Sequence, residues 1–274
     1  MRLNFTNGYR PRFDQISRIL LFVFSREQNK KVTKQEIVSA LGISGKQVEY
    51  LTSMMIGFGL IYPRDNTLTP LGKAIIQSDP YFDRPETLWI IHFIVSSNPK
   101  WIVWYRIINK VISSQDRYAV KEVCDQYFSD LAIHFSEKTI SSELPNEVGA
   151  VFTAYSRTEL SRLGILKLGN RGNYIKSDPI DMPDLAFLFC LLFYRDNYLP
   201  GSSAINIKDI CLKESSPGKV LQLTEYQIRN TLNNLHDKGL IRIEQFADLD
   251  QIRLSDSFTQ ESILERIYEV RNAN

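Results

Sequence analysis

The sequence predicts a mainly α-helical fold with small β-hairpins, arranged as tandem winged helix-turn-helix modules around a central helical section. Two observations carry this expectation. Residues 13–69 spell out helix, helix, tight turn, helix and hairpin, and residues 184–254 repeat that order in the same register. A third observation, a hairpin signal within residues 165–176, makes the segment between them a candidate degenerate copy.

The first module opens with Ile16, Ile19, Leu20 and Val23 at helical spacing. Thr33 offers a helix N-cap with Glu36 three residues on, the pairing of a capping box, and the short helix it starts ends at Leu41-Gly42. Ser44 caps a third helix whose Val48, Leu51 and Met55 share one face and which stops at Gly59. Strands Leu60–Tyr62 and Thr67–Thr69 follow, joined by the turn-forming Pro63-Arg64-Asp65-Asn66. The short Gly42-Ile43-Ser44 connection suits the sharp angle between the second and third helices of a helix-turn-helix.

Toward the other end, Asp184–Tyr198 reads as a very apolar helix and Asn206–Leu212 as a short second one. Thr224 caps a third, with Ile228, Leu232 and Leu235 on one face, which ends at Gly239 before strands Leu240–Glu244 and Gln251–Leu254. Ser44 precedes Gly59 by fifteen residues and Thr224 precedes Gly239 by the same fifteen, so Gln47 aligns with Gln227 and Val48 with Ile228. In the middle, Trp101–Ile112 and Val120–Leu131 read as helices, and Gly169-Asn170-Arg171-Gly172 joins strands Ile165–Leu168 and Tyr174–Lys176. Leu163-Gly164-Ile165 echoes Phe58-Gly59-Leu60, yet Pro145 falls where the third helix should run. Either that helix begins after Pro145 or the module is degenerate. Between modules, Pro80 and Pro85 bend the chain into a helix with Leu88, Trp89, Ile91, His92 and Val95 on an apolar face, closed by Asn98-Pro99. Gln260–Val270 reads as a final amphipathic helix. The expected division is 1–78, 79–182 and 183–274, with the terminal helix in the last part.

A chain of 274 residues with 43% hydrophobic and 23% charged residues can bury a sizeable core, which excludes wholesale disorder. Its longest apolar run, Leu185–Tyr194, falls short of the roughly 20 residues of a membrane span, and Ile19–Phe24 is too short for a signal peptide. A cytoplasmic location is expected. Cys124, Cys190 and Cys211 are odd in number and widely spaced with no CxxC pair, which suits buried thiols in a reducing compartment and excludes a zinc knuckle. Neither His92, His134 nor His236 lies in HExxH, and His92, beside Trp89, reads as a hydrogen-bonded structural histidine. Gly42–Lys46 lacks the spacing and the Ser or Thr of a phosphate loop. No catalytic residue, metal ligand or cofactor is therefore expected, and the chain does not read as an enzyme.

The net charge of +2 is uneven, because residues 1–46 hold nine basic side chains against three acidic ones. A basic end on a near-neutral protein is what a local polyanion contact needs, a solvated charged face being the bland alternative. In a winged helix-turn-helix the first residues of the third helix reach base edges. These are Lys46, Gln47 and Tyr50, where glutamine can pair with adenine and lysine with guanine or phosphate. Arg64 on the first hairpin and Lys30, Lys31 and Lys34 would hold the backbone. Gln227 and Arg229, flanked by Tyr226 and Asn230, are the C-terminal equivalents, and Arg171 is the contact expected from the middle hairpin. Exposure in a turn accounts for Asp248 and Asp250. Against DNA, the first recognition helix carries only Lys46 and Glu49, and Met54, Met55 and Phe58 would suit a protein contact.

LGISGKQVEYLTSMMIGFGLI (Leu41–Ile61), LTPLGKAI (Leu68–Ile75), DPYFDRPETLWIIHFIVSSNP (Asp79–Pro99) and SSPGKVLQL (Ser215–Leu223) together resemble the domain-of-unknown-function 4007 (DUF4007) family. Family members begin with a phenylalanine, histidine, glutamate and threonine string, whereas this chain reads FTNGYRPRFDQISRILLF (Phe5–Phe22). The resemblance implies a bacterial protein often encoded beside DNA-modification and anti-phage genes, phosphorothioation-type enzymes among them, and it names no catalytic residues. The expectation is a non-catalytic protein that binds double-stranded DNA in a modification or phage-defence complex with other proteins of its locus, with a homodimer left open. The alternative is an adaptor whose winged helices bind proteins.

Overall fold

A computed structural model describes residues 3, 5–26, 31–246 and 249–269. Its helices start where side chains can satisfy free backbone N–H groups. The capping boxes expected at Thr33/Glu36 and Ser44 form, as does one at Thr224/Gln227. Each such cap stabilises its helix by about 1 kcal/mol. The first unit holds α1 (Phe13–Ser25), α2 (Lys34–Leu41), α3 (Gly45–Gly57) and α4 (Pro70–Ser78), the last of which the hydrophobic pattern did not reveal. A central α5 (Pro85–Ser97) follows.

The middle of the chain carries α6 (Ile102–Arg106) running into a π-helical turn, β1 (Arg117–Tyr118), α7 (Val120–Tyr127), α8 (Glu137–Ser142), α9 (Leu144–Arg157), β2 (Leu166–Leu168) and β3 (Tyr174–Lys176). The last part carries α10 (Asp184–Tyr198), β4 (Ala204–Asn206), α11 (Ile207–Leu212), α12 (Pro217–Val220), α13 (Glu225–Asp237), β5 (Ile241–Phe246), β6 (Leu249–Leu254) and α14 (Gln260–Glu269). The protein is thus mainly helical with two three-stranded antiparallel sheets, ordered β1-β3-β2 and β4-β6-β5. No helix among the described residues is long and apolar enough to cross a membrane, and all three cysteines are unpaired.

One local order recurs: helix, short extended segment, two helices in the first unit or three in the others, then hairpin. In each sheet the extended segment pairs with the second hairpin strand, β1 with β3 and β4 with β6. The first unit makes the same approach with less regular pairing. Val32 donates its N–H to Asp65 O at 2.9 Å, and its hairpin has shrunk from the two expected strands to the single bridge Ile61↔Leu68. Gly59, Gly164 and Gly239 enter the three hairpins with φ of 73°, 70° and 67°, the left-handed region that a side chain disfavours. Pro145 does not interrupt α9. It sits in the first turn, where its missing N–H has no intrahelical partner to lose. The expected Val120–Leu131 helix is broken, with α7 ending at Tyr127 and a 3-10 turn at Ser129–Ile133.

Helix α5 departs from its expected single apolar face. Every residue from Thr87 to Ser97 is buried, as a helix that is apolar all round must be. Its one ring with two polar nitrogens, His92, is satisfied inside the core. His92 Nε2 lies 2.9 Å from Val220 O, which can only accept, so Nε2 carries the proton. Nδ1 then accepts from Tyr155 O–H at 2.5 Å, and Tyr155 O in turn accepts from Trp104 Nε1–H at 2.8 Å. Burial holds the imidazole neutral, its pKa lowered to about 4.

A pH dependence follows from that neutral ring. Below the ordinary value of 6.5 the unfolded chain protonates His92, while the folded chain keeps it neutral down to about 4. The stability this contributes is complete above pH 6.5 and is lost as pH falls from there toward about 4, by on the order of 3 kcal/mol. Urea unfolding of wild type and His92→Gln across that window is expected to show their stability difference shrink by about this amount. A difference constant with pH would refute the neutral buried imidazole.

Candidate nucleic-acid interface

The N-terminal segment is tied down by packing at one end and a carboxylate in its middle. The Phe5 ring lies on Gly57 of α3, where a Cβ would stand 2.4 Å from it, and packs against Trp101 with ring centroids 4.5 Å apart. Glu147 of α9, only 1% exposed, accepts Thr6 N–H and Thr6 Oγ1–H at 2.9 Å each and Gly8 N–H at 3.1 Å. Burial pushes the Glu147 carboxyl above its ordinary pKa, although these donors pull it back. Asn7 and Gly8, at φ 52° and 75°, make the left-handed turn that aims both N–H groups at the carboxylate.

This strap delivers Tyr9, Arg10 and Arg12 to the start of α3. Tyr9 stacks on Tyr50 with centroids 4.6 Å apart and planes at 17°, and Lys46 Nζ lies 5.7 Å from the centre of the Tyr9 ring. A recess of about 370 Å³ opens among Tyr9, Arg10, Arg12, Ser44, Lys46 and Tyr50. Arg10 and Lys46 are exposed and form no ion pair among the described residues, while Arg12 is paired to Asp14 at 3.0 Å. Arg64 is exposed in the loop of the first hairpin, and Lys31 lies next to it through the Val32–Asp65 bond. Arg10, Lys46 and the Tyr9 ring therefore lie together at a helix N-terminus, which favours negative charge.

Other expected contact residues are already engaged. Gln47 closes its own cap, its Oε1 accepting Ser44 N–H at 3.0 Å, so the adenine pairing that needs both amide atoms has only the NH₂ left. Gln227 Oε1 is held the same way by Thr224 N–H at 2.9 Å. Tyr50, 4% exposed, is the floor beneath Tyr9 and does not reach outward. Lys34 is paired with Glu49. Arg229 is clamped by Asp250 at 2.7 Å and Glu225 at 2.8 Å, whose hydrogen bonds raise its pKa, so Asp250, expected as an exposed turn acid, is instead a half-buried ion-pair partner in β6. Arg171 is exposed at φ 56° on the middle hairpin, but the strap covers the start of α9 beside Glu147. Lys30 and Asp248 lie outside the described residues. Met54, Met55 and Phe58 are 0% exposed, which removes them as a protein-docking surface.

Sequence reasoning missed Tyr9, Arg10 and Arg12 as site residues. The available signal was the Asn7-Gly8 turn beside an aromatic and two arginines, but the carboxylate that positions it lies 141 residues away.

Residues 10–268 match the family described as protein of unknown function (DUF4007). A search of curated protein sequences gave no match. Two crystal structures of SspB share the fold. The magnesium ion-bound form has a TM-score of 0.78 at 13% identity, covering 99% of this chain and 89% of that one. A second SspB structure gives 0.77 at 12% identity over the same shares. At such identity the likeness concerns the fold alone. Among the described residues, no three His, Cys, Asp or Glu side chains come together as a metal site would need, so no step is assigned to magnesium.

Replacing Glu147 by alanine leaves the buried Thr6 donors without their acceptor, a loss of about 1–3 kcal/mol, while Gly8 N–H keeps Thr6 Oγ1. Hydrogen exchange at Thr6 is expected to accelerate by at least about fivefold while α13 stays protected. Uniform acceleration across the chain would mean that the strap is not separately held.

Proposed function

The chain belongs to the DUF4007 family, and from that premise we propose that it is a non-catalytic DNA-binding subunit of a bacterial DNA-modification or phage-defence assembly. We read its three repeated units as winged helices, of which the first meets duplex DNA. The observation that carries this is the grouping of Arg10 and Lys46 with Tyr9 around the start of α3, while Arg64 and Lys31 lie together at the first hairpin. A third helix entering the major groove would bring Lys46 and the Gln47 NH₂ to base edges. The strap arginines, Arg64 and Lys31 would hold phosphates.

The three units are not equivalent in this reading. On the last one Arg229 is neutralised, and Tyr226, Phe246 and Leu212 stand 76%, 84% and 63% exposed. Apolar exposure of that kind favours protein contact. It supports the second reading, an adaptor that holds partner proteins, for this unit.

The test is anisotropy of a labelled duplex titrated with the whole protein. Four phosphate contacts predict an affinity loss of roughly a hundredfold between about 50 and 200 mM salt. Arg10→Ala/Arg64→Ala is expected to lower the salt slope by about two. Supercoiled plasmid incubated with magnesium should stay intact. Nicking would end the non-catalytic assignment, and a folded protein that binds no duplex at low salt would leave the adaptor reading in its place.

A further inference from the structure

Helix α14 sets Glu261, Glu265 and Glu269 four residues apart, so they stand in one row about 6 Å from each other along the helix. The row faces a groove of about 710 Å³ whose opposite wall is α4, with Leu68, Ala74, Leu264 and Tyr268 among its lining and Lys73 as its basic side chain. The groove continues past Tyr62 and Pro70 into a second recess of about 520 Å³ beside Phe189, Phe193 and Asp196. Its wall is firmly seated. Arg84 donates to Ile267 O at 2.6 Å, and the Tyr268 hydroxyl bonds Thr87 Oγ1 at 2.8 Å.

The charges in this groove are uncompensated. Several other acids on the last unit are paired: Asp184 with Lys238, Glu244 with Arg253, and Glu225 and Asp250 with Arg229. Among the described residues, Glu261, Glu265, Glu269 and Lys73 form no ion pair. Like charges four apart on a helix repel, so the row works against α14 when nothing faces it. An acidic rim over an apolar floor also repels the phosphates that the first unit would attract.

We infer that this groove receives a basic amphipathic helix of a partner protein. Cations four residues apart on that helix repeat every 6 Å or so, in step with the three glutamates, while its apolar side rests on Tyr62, Pro70 and Ala74. The inference rests on the assembly part of the function proposed above and is independent of the DNA part.

A fluorescein-labelled helical peptide with lysine at every fourth position and leucine on the adjoining face tests it, alongside the same peptide with glutamate for lysine. Both are titrated by anisotropy into wild type, into Glu261→Lys/Glu265→Lys/Glu269→Lys, and into a control of equal net charge, Glu137→Lys/Asp178→Lys/Asp237→Lys. The lysine peptide is expected to bind wild type and control alike and the groove variant at least about tenfold more weakly, with no binding of the glutamate peptide. Equal weakening in both variants, or no binding to wild type, overturns the inference. So does sedimentation that finds a wild-type dimer which the groove variant dissociates, because the occupant is then a second copy. Duplex binding measured on the same three proteins reports on the DNA reading separately.

Discussion

Helix α5 has no solvent-facing side, and a helix so placed has to satisfy His92 within the core. It does so with a directed chain, Trp104 N–H to Tyr155 O, Tyr155 O–H to His92 Nδ1, and His92 Nε2–H to Val220 O, with Ser96 Oγ beside it at 3.2 Å from His92 Nδ1. Each member comes from a different stretch: α6, α9, α5 and α12. The chain runs in one direction only, since Trp104 can only donate and Val220 O can only accept. Protonating the ring or removing one hydroxyl would leave a buried group without its partner, the costly case for a polar network. The middle and last units are registered on the central helix by this chain as well as by apolar packing, which alone is tolerant of small slips.

The first unit is joined differently. Its aromatic residues Phe13 and Phe58 stack with centroids 5.9 Å apart, and Phe5 slots over Gly57 between them and Trp101. Glu147 of the middle unit then fixes the turn that follows Phe5. The cation-and-tyrosine face at the start of α3 is therefore composite: α3 supplies Lys46 and Tyr50, the strap supplies Tyr9 and Arg10, and the middle unit sets their spacing. The same contact explains why the middle unit offers no such face of its own, because the start of its third helix is already occupied by the strap.

Local chemistry made much of this legible in advance. Thr33/Glu36 and Ser44 announce their helices through bonds that span three residues, and the glycines at 59, 164 and 239 mark the same left-handed entry to each hairpin. What stayed hidden was decided at a distance. Gln47 and Gln227 looked like base readers until their oxygens were seen closing their own caps, and Arg229 looked free until Asp250, twenty-one residues on, reached it across the hairpin. Helix α5 reads as amphipathic by periodicity, yet its remaining positions are apolar too, and only neighbours on every side make that tolerable. Pro145 misled for the opposite reason, since a proline that breaks a helix interior is at home in its first turn.

The reach of Glu147 back to Thr6 also sets an order of assembly during synthesis. Arg10 and Arg12 leave the ribosome early, and α1 to α4 can pack as soon as residue 78 has emerged. The carboxylate that turns the strap toward α3 arrives some seventy residues later, about 4–14 s at ordinary translation rates. For that interval the arginines of the nascent chain lack the contact that sets them beside α3. A fragment ending before α9 would lack it permanently, and the cation-and-tyrosine face at the start of α3 would stay unfinished.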